Sequence, residues 1–70
     1  MHQNELIDLL KNRRISLQIT QEHLAELAEV ALRTVKAIES GKGNPTLETV
    51  VKIADVLGME LNFTIKTGDE

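Results

Sequence analysis

The chain has 70 residues, no cysteine and a formal net charge of −3 at pH 7. A domain of this length buries only about 60% of its unfolded surface, so we expect it to gain stability from a second subunit. Without cysteine it can form neither a disulfide nor a zinc–thiolate site, and its two histidines are too few to hold a metal alone, so we expect no metal and no cofactor.

The acidic excess belongs to the C-terminal part of the chain. Residues 1–44 hold six basic and six acidic side chains, whereas residues 45–70 hold two basic and five acidic ones. The first part can therefore present a basic face to a nucleic acid. Glu5 and Asp8 stand where a signal peptide would be basic and then apolar, and no apolar run reaches the ~18 residues of a membrane helix. We expect a cytoplasmic protein with no membrane partner.

Apolar residues at helical intervals predict a first helix over residues 4–17. Thr20 is placed to cap a short second helix over residues 21–28. The residues of this second helix that we expect to face the core are Leu24, Leu27 and Ala28.

A tight stretch at residues 29–31 separates the second helix from a third one, predicted over residues 32–40. Val35 and Ile38 share the inner face of this third helix. Gly41 is placed to end it, because glycine adopts the left-handed conformation that commonly terminates helices.

The sequence GKGNP, at residues 41–45, is the clearest loop in the chain. Thr46 then caps a fourth helix, predicted over residues 47–57, and Gly58 is placed to end it. Four helices in this order indicate a mainly α domain.

The last pattern, GMELNFTIK at residues 58–66, alternates apolar and polar side chains as a half-buried strand does. Its apolar members are Met59, Leu61, Phe63 and Ile65. A strand needs a neighbour for its backbone hydrogen bonds, and the sequence contains no second strand pattern. We therefore predict antiparallel pairing with its own copy across a two-fold axis, with Phe63 opposite itself and Glu60 opposite Lys66. The alternatives are a strand folded back on its own helices and a strand donated to another protein.

The segment from Thr20 to Gly58 resembles the Cro/phage-repressor type of helix-turn-helix family. The matching features are Thr20–Gln21, Leu24–Ala25, Val30, Val35, Ile38–Glu39, Gly41–Lys42 and Asn44–Pro45–Thr46–Leu47. With Arg14 upstream, the resemblance covers residues 6–58. As a set these features are specific, whereas a bare turn between two helices would be a weak signal.

The resemblance implies a mainly α fold with one additional strand. We expect residues 1–58 to form a four-helix, lambda-repressor-like helix-turn-helix domain. Residues 59–66 are the predicted C-terminal β-strand that pairs across a homodimer, and residues 67–70 are a tail.

In function, the resemblance implies a DNA-binding transcriptional regulator, a dimeric repressor that acts on a two-fold operator in double-stranded DNA and controls its own operon. The strand after the fourth helix is similar to HipB-like antitoxins, which repress their own operon and neutralise a kinase toxin, so a toxin protein is a candidate partner. The rival hypothesis is a protein-interaction module that binds and inhibits a partner protein without needing DNA. An enzyme is not expected, because the sequence shows no nucleophile–base pair, metal set or phosphate loop.

The third helix is the predicted recognition helix, because an α-helix fits the major groove of DNA. Its outward residues are Arg33, Lys36, Ala37 and Ser40, with Leu32 and Thr34 at the edges. Arginine can bond guanine bidentately, and apolar atoms can touch a thymine methyl. The alternatives are an ordinary solvated helix face and, for Leu32, packing back onto the turn.

A second set of residues falls where the resembled family contacts DNA phosphates. These residues are Gln21, Thr34, Ser40, Lys42 and Asn44. Backbone N–H groups at helix N-termini, together with basic and hydroxyl side chains, fix the register of a protein on the duplex without reading its sequence.

Arg14 and Glu39 match a pair that in this family joins the first helix to the end of the third. We predict a structural ion pair rather than a DNA contact, because a guanidinium can satisfy a carboxylate with two hydrogen bonds in a partly buried setting.

Three positions depart from the family pattern. Glu29 replaces a usual glycine in the turn, and Gln18 stands where a glycine often ends the first helix. Ala31 replaces the serine or threonine that usually caps the third helix, which forfeits about 1 kcal/mol.

Overall fold

The computed structural model describes residues 3–66, so the predicted tail at residues 67–70 lies outside the described part. Its four helices are α1 (Gln3–Ser16), α2 (Gln21–Ala28), α3 (Leu32–Glu39) and α4 (Leu47–Val56). The prediction of a mainly helical domain with four helices is confirmed. Within residues 3–66, none of these helices is both long and apolar enough to cross a membrane.

Two of the helices begin at a threonine that caps them. The hydroxyl of Thr20 accepts a hydrogen bond from the His23 N–H at 3.0 Å, and the hydroxyl of Thr46 accepts one from the Thr49 N–H at 3.1 Å. Ala31 occupies the equivalent place before α3 and offers no side-chain acceptor. The start of α3 therefore lacks the capping bond that α2 and α4 have.

All four helices end in the same way. Beyond each helix, an N–H donates to the carbonyl five residues earlier, at 2.9 to 3.2 Å: Ile19 to Arg14, Val30 to Ala25, Lys42 to Ala37 and Met59 to Ala54. This pattern is the Schellman motif, which needs a residue with positive φ just before the donor. Within residues 3–66, the residues with positive φ are Gln18 (59°), Glu29 (57°), Gly41 (76°) and Gly58 (72°). Two helices therefore end on a residue that bears a side chain in a conformation suited to glycine.

The hydrophobic core lies between the helices, with α2 packed against both α3 and α4 and α1 packed against α3. Its most completely buried side chains are Leu24, Val35 and Leu57, which come from α2, α3 and the end of α4. The rest of the core cluster consists of Leu10, Ala25, Ala28, Ile38, Ile53 and Ala54. This core holds α3 by one face and leaves the opposite face outside.

The prediction that Leu27 faces the core is wrong, because half of this residue is exposed. Ala25 and Ala28 lie on one side of Leu24 around the helix, and Leu27 lies on the other. The buried face of α2 runs through the two alanines, so Leu27 falls at its solvent edge.

Residues 59–66 form neither a helix nor a strand in the described chain. Met59 packs against the core and Leu61 is half-buried, but Phe63 is 84% exposed and Ile65 is 96% exposed. The apolar side chains beyond Leu61 are therefore left largely uncovered by the chain's own helices. A strand that pairs only across a dimer has no ladder partner within one chain, so the predicted strand stays a prediction.

Candidate nucleic-acid interface

The candidate interface begins with the orientation of α3. Val35 and Ile38 are buried in the core, whereas Arg33 and Lys36, on the other side of the helix, are exposed. No ion pair within residues 3–66 holds Arg33 or Lys36. The two cationic side chains are thus presented outward from a helix that is anchored by its apolar face.

An open groove of about 430 Å³ runs between α3 and the loop that follows it. Four residues predicted to contact DNA line this groove: Arg33, Thr34, Ala37 and Asn44. Ile38, Gly43 and Pro45 complete its lining. The structure therefore brings together the predicted recognition helix and the loop after it along one concave edge.

The Ala37 carbonyl fastens that loop to α3. It accepts hydrogen bonds from the N–H groups of Lys42 and Gly43, both at 3.1 Å, and from the Ser40 hydroxyl at 3.0 Å. Gly43 sits so close that a Cβ added there would lie 3.2 Å from the Ala37 Cβ. Ala37, predicted as an outward residue, is consequently half-buried beneath the loop.

A hydrogen-bond network joins α1, α2 and α3 beside this face. Arg14 donates through Nε and Nη2 to the two carboxylate oxygens of Glu39, at 2.7 and 3.0 Å, and through Nη1 to the Ile19 carbonyl at 2.7 Å. The Gln21 amide donates to the same Glu39 carboxylate at 3.0 Å. The side chains of Arg14 and Glu39 are only 13% and 6% exposed. Gln21, at the N-terminus of α2, is thereby fixed in place by the end of α3.

Leu32 is half-buried and packs, with Val30, against the core. This placement matches the alternative in which the leucine packs back onto the turn. Ser40, Lys42 and Asn44 are exposed, as residues that meet a phosphate backbone would be.

An apolar surface lies at the other end of the chain. The predicted dimerisation residues Leu61 and Phe63 line two adjoining grooves of about 450 and 530 Å³ between α1 and α4, and Met59 lines the larger one. Leu9 and Leu47, which line one groove each, are 47% and 59% exposed. Ile65 lies beyond both grooves.

Sequence reasoning missed two residues that position these surfaces. Arg13 Nε donates to the Leu57 carbonyl at 2.9 Å, across 44 residues of sequence. Gly43 was read only as part of a loop, yet its lack of a side chain permits the close approach to Ala37. A bond from a side chain to a distant backbone carbonyl leaves no pattern in the sequence, whereas two glycines in one short loop were a visible signal for Gly43.

No group of three or more histidine, cysteine, aspartate or glutamate side chains in the described part of the chain is placed to hold a metal ion. The face formed by α3 and its loop presents cations, hydroxyls and amides.

Comparison with known proteins places this geometry in a family. A family model described as helix-turn-helix matches residues 10–63, from the middle of α1 into the C-terminal segment. The cryptic phage CTXphi transcriptional repressor RstR of Vibrio cholerae is 40% identical over 53 residues, which are 76% of this chain and 47% of that protein. The protein named "Putative antitoxin HigA2" of Mycobacterium tuberculosis is 36% identical over 62 residues, which are 87% of this chain and 61% of that protein.

A third relative is matched over more of its own length. It is an uncharacterized HTH-type transcriptional regulator of Methanothermobacter thermautotrophicus, 40% identical over 52 residues, which are 74% of this chain and 75% of that protein. The chain spans less of the first two relatives, 47% and 61% of their lengths. On the family match and these relatives together, the chain belongs to the helix-turn-helix family of the Cro/phage-repressor (XRE) type.

Proposed function

We propose that the protein is a sequence-specific DNA-binding transcriptional regulator that acts in the cytoplasm as a homodimeric repressor on a two-fold operator. The observation that carries the proposal is the outer face of α3, where Arg33 and Lys36 are exposed opposite the buried Val35 and Ile38. A helix held in this way enters the major groove with its cations toward the base edges.

Arg33 is the principal base reader in this proposal. Its guanidinium can bond guanine O6 and N7 together, which is the commonest specific contact in the major groove. Lys36 carries a single ammonium donor on a flexible stem, so it contributes to recognition with less geometric selectivity. In this proposal Ala37, which lines the groove between α3 and the loop, contributes apolar contact.

The remaining interface residues set the register of the protein on the duplex. Lys42 and Asn44 extend from the loop that is bonded to α3, so phosphate contacts and base contacts move as one unit. Gln21 sits at the N-terminus of α2 and keeps its second amide N–H and its backbone N–H available to donate to a phosphate. Thr34 and Ser40 supply hydroxyls in the same role.

The proposed dimer forms through residues 59–66. Phe63 and Ile65 are almost fully exposed in one chain, and an open apolar edge of this kind invites pairing with another chain. Antiparallel pairing of two copies would satisfy both backbones and lay the two apolar faces over the grooves between α1 and α4. It would also set two recognition helices ~34 Å apart, one turn of DNA.

A narrower role as an antitoxin is supported by one relative, which is named an antitoxin, while another is named a repressor. In this form of the proposal the protein represses its own operon and neutralises a toxin protein encoded beside it. Co-expression tests the antitoxin role. If the product of a neighbouring gene arrests growth, co-expression of this protein should restore growth. A neighbouring product that is harmless alone would contradict the antitoxin role and leave the DNA-binding role standing.

Selection of bound duplexes from random DNA tests the main proposal. We expect an enriched motif with two-fold symmetry and half-sites about one helical turn apart. The double variant Arg33→Ala, Lys36→Ala is the control, and it should enrich no motif. Enrichment of the same motif by that variant, or of none by the wild type, would contradict the assignment of α3 as the recognition helix.

A further inference from the structure

Two consecutive arginines of α1 hold two different ends of the domain. Arg14 bonds Glu39, at the end of α3. Arg13, the residue before it in α1, donates from Nε to the carbonyl of Leu57, at the end of α4. One rigid helix therefore carries both the anchor of the recognition helix and an anchor at the point where the C-terminal segment begins.

The Leu57 carbonyl is a natural acceptor for this bond. The last carbonyls of an α-helix have no partner within the helix, and the C-terminus carries partial negative charge that favours a cation. The guanidinium also covers the turn itself, because a Cβ added at Gly58 would lie 3.5 Å from Arg13 Nη2.

Three contacts then fix the direction in which the chain leaves α4. The Schellman bonds hold the N–H groups of Gly58 and Met59 to α4, the Met59 side chain packs against the core, and Arg13 holds the Leu57 carbonyl to α1. After Leu61 the side chains of the segment are exposed, and Phe63 only borders the grooves between α1 and α4. The direction of the C-terminal segment is thus set where it begins, at residues 57–59.

We propose that Arg13 is a positioning residue that fixes the exit direction of residues 59–66, and through it the distance between the two recognition helices of the dimer. This role rests on the proposed dimer and adds a residue that determines operator spacing. Arg13 need not touch DNA, and loss of this single bond at an exposed side chain should leave the protein folded. The effect that distinguishes the proposal is therefore a change in the preferred spacing of half-sites.

Two variants separate the hydrogen bond from the charge. In Arg13→Gln the amide nitrogen occupies the same place along the side chain as the arginine Nε, so it can donate to the Leu57 carbonyl without a positive charge. Arg13→Met fills similar volume and has no donor. Lys11→Met is the matched control, because it removes a positive charge from an exposed residue of the same helix.

The experiment measures affinity for duplexes that carry the selected half-site twice, at a series of spacings. The quantity compared is a ratio of two affinities. The first is for the duplex with the best half-site spacing, and the second is for a duplex whose spacing differs from it by two base pairs. We expect this ratio to fall roughly tenfold in Arg13→Met, the effect of losing one hydrogen bond from a charged donor, and to stay near the wild-type value in Arg13→Gln and Lys11→Met. Affinity for a single half-site should be equal in Arg13→Met and Lys11→Met.

Each other outcome overturns the inference. A folded Arg13→Met protein with the wild-type ratio would show that the bond does not set spacing, and failure of Arg13→Met to fold would assign the residue to stability. If the ratio of affinities fell equally in Arg13→Gln and Arg13→Met, the effect would come from the positive charge and not from the hydrogen bond. A wild type without any spacing preference would contradict the proposed dimer itself, which distinguishes that failure from failure of the Arg13 role alone.

Discussion

Arg14 and Glu39 are joined by two hydrogen bonds that tie α1 to the end of α3, at 2.7 and 3.0 Å. The Glu39 carboxylate also receives the Gln21 amide, so both of its oxygens are engaged. With both side chains largely buried, the pair is shielded from the screening that weakens surface ion pairs.

We expect Arg14→Ala to lower the free energy of unfolding by about 3 kcal/mol, because the Glu39 carboxylate would stay buried without its partner. Thermal or urea unfolding measures the loss, and a double-mutant cycle with Glu39→Ala isolates the pair from the bond to Ile19. The preferred DNA sequence should not change. A variant with unchanged melting temperature and an altered base preference would reverse the assignment of Arg14 from structure to recognition.

Glu29 occupies the left-handed conformation, with φ 57° and ψ 45°, where a Cβ is unfavourable. We expect Glu29→Gly to raise the free energy of unfolding by roughly 0.5–1 kcal/mol, and Gln18→Gly to act in the same direction. Glu26→Gly is the matched control inside α2 and should lower it by about 1 kcal/mol. If Glu29→Gly were as destabilising as Glu26→Gly, the left-handed conformation of Glu29 would not be a source of strain.

How far the sequence predicts this molecule depends on how local each feature is. Threonine caps, glycine ends and apolar spacing act within a few residues, so all four helices were predicted with boundaries within one residue of the observed ones. The unusual turns at Gln18 and Glu29 were visible as departures from a pattern that prefers glycine.

Features that depend on tertiary arrangement were harder to predict. The exposure of Leu27 is set by which side of α2 its neighbours cover, and the partial burial of Ala37 by a loop that folds back over it. The bond from Arg13 to Leu57 leaves no sequence signal at all. The proposed pairing of the C-terminal segment would involve a second chain, so the fold of one chain does not test it.

Lys42 should behave as a phosphate contact. We expect Lys42→Ala to weaken binding to all DNA sequences alike and to reduce the salt dependence of affinity by about one unit of slope. Titrations at several salt concentrations on the operator and on an unrelated duplex measure both effects. Lys52→Ala, at an exposed residue of α4, is the control and should leave the slope unchanged. A loss in Lys42→Ala confined to the operator would instead make Lys42 a base reader.

Removal of the C-terminal segment tests the proposed dimer. Truncation after Gly58 should give a monomer in sedimentation velocity, because the exposed Phe63 and Ile65 are lost while the helices and their core remain. In the full chain, Phe63→Asp should dissociate the dimer by placing a charge in the apolar face, whereas Thr64→Asp, on the polar face of the predicted strand, should not. A truncated protein that stayed a tight dimer would place the interface elsewhere.

The most direct test of the account is the affinity of wild-type and Arg33→Ala proteins for the selected operator and for the operator with its contacted guanine replaced. We predict that Arg33→Ala costs about 1–3 kcal/mol per half-site and binds the two duplexes equally, because the side chain that distinguishes them is gone. Lys11→Ala, an exposed cation of α1, should retain the wild-type discrimination. If Arg33→Ala bound the operator as tightly as the wild type and still distinguished the replaced base, α3 would not be the element that reads DNA.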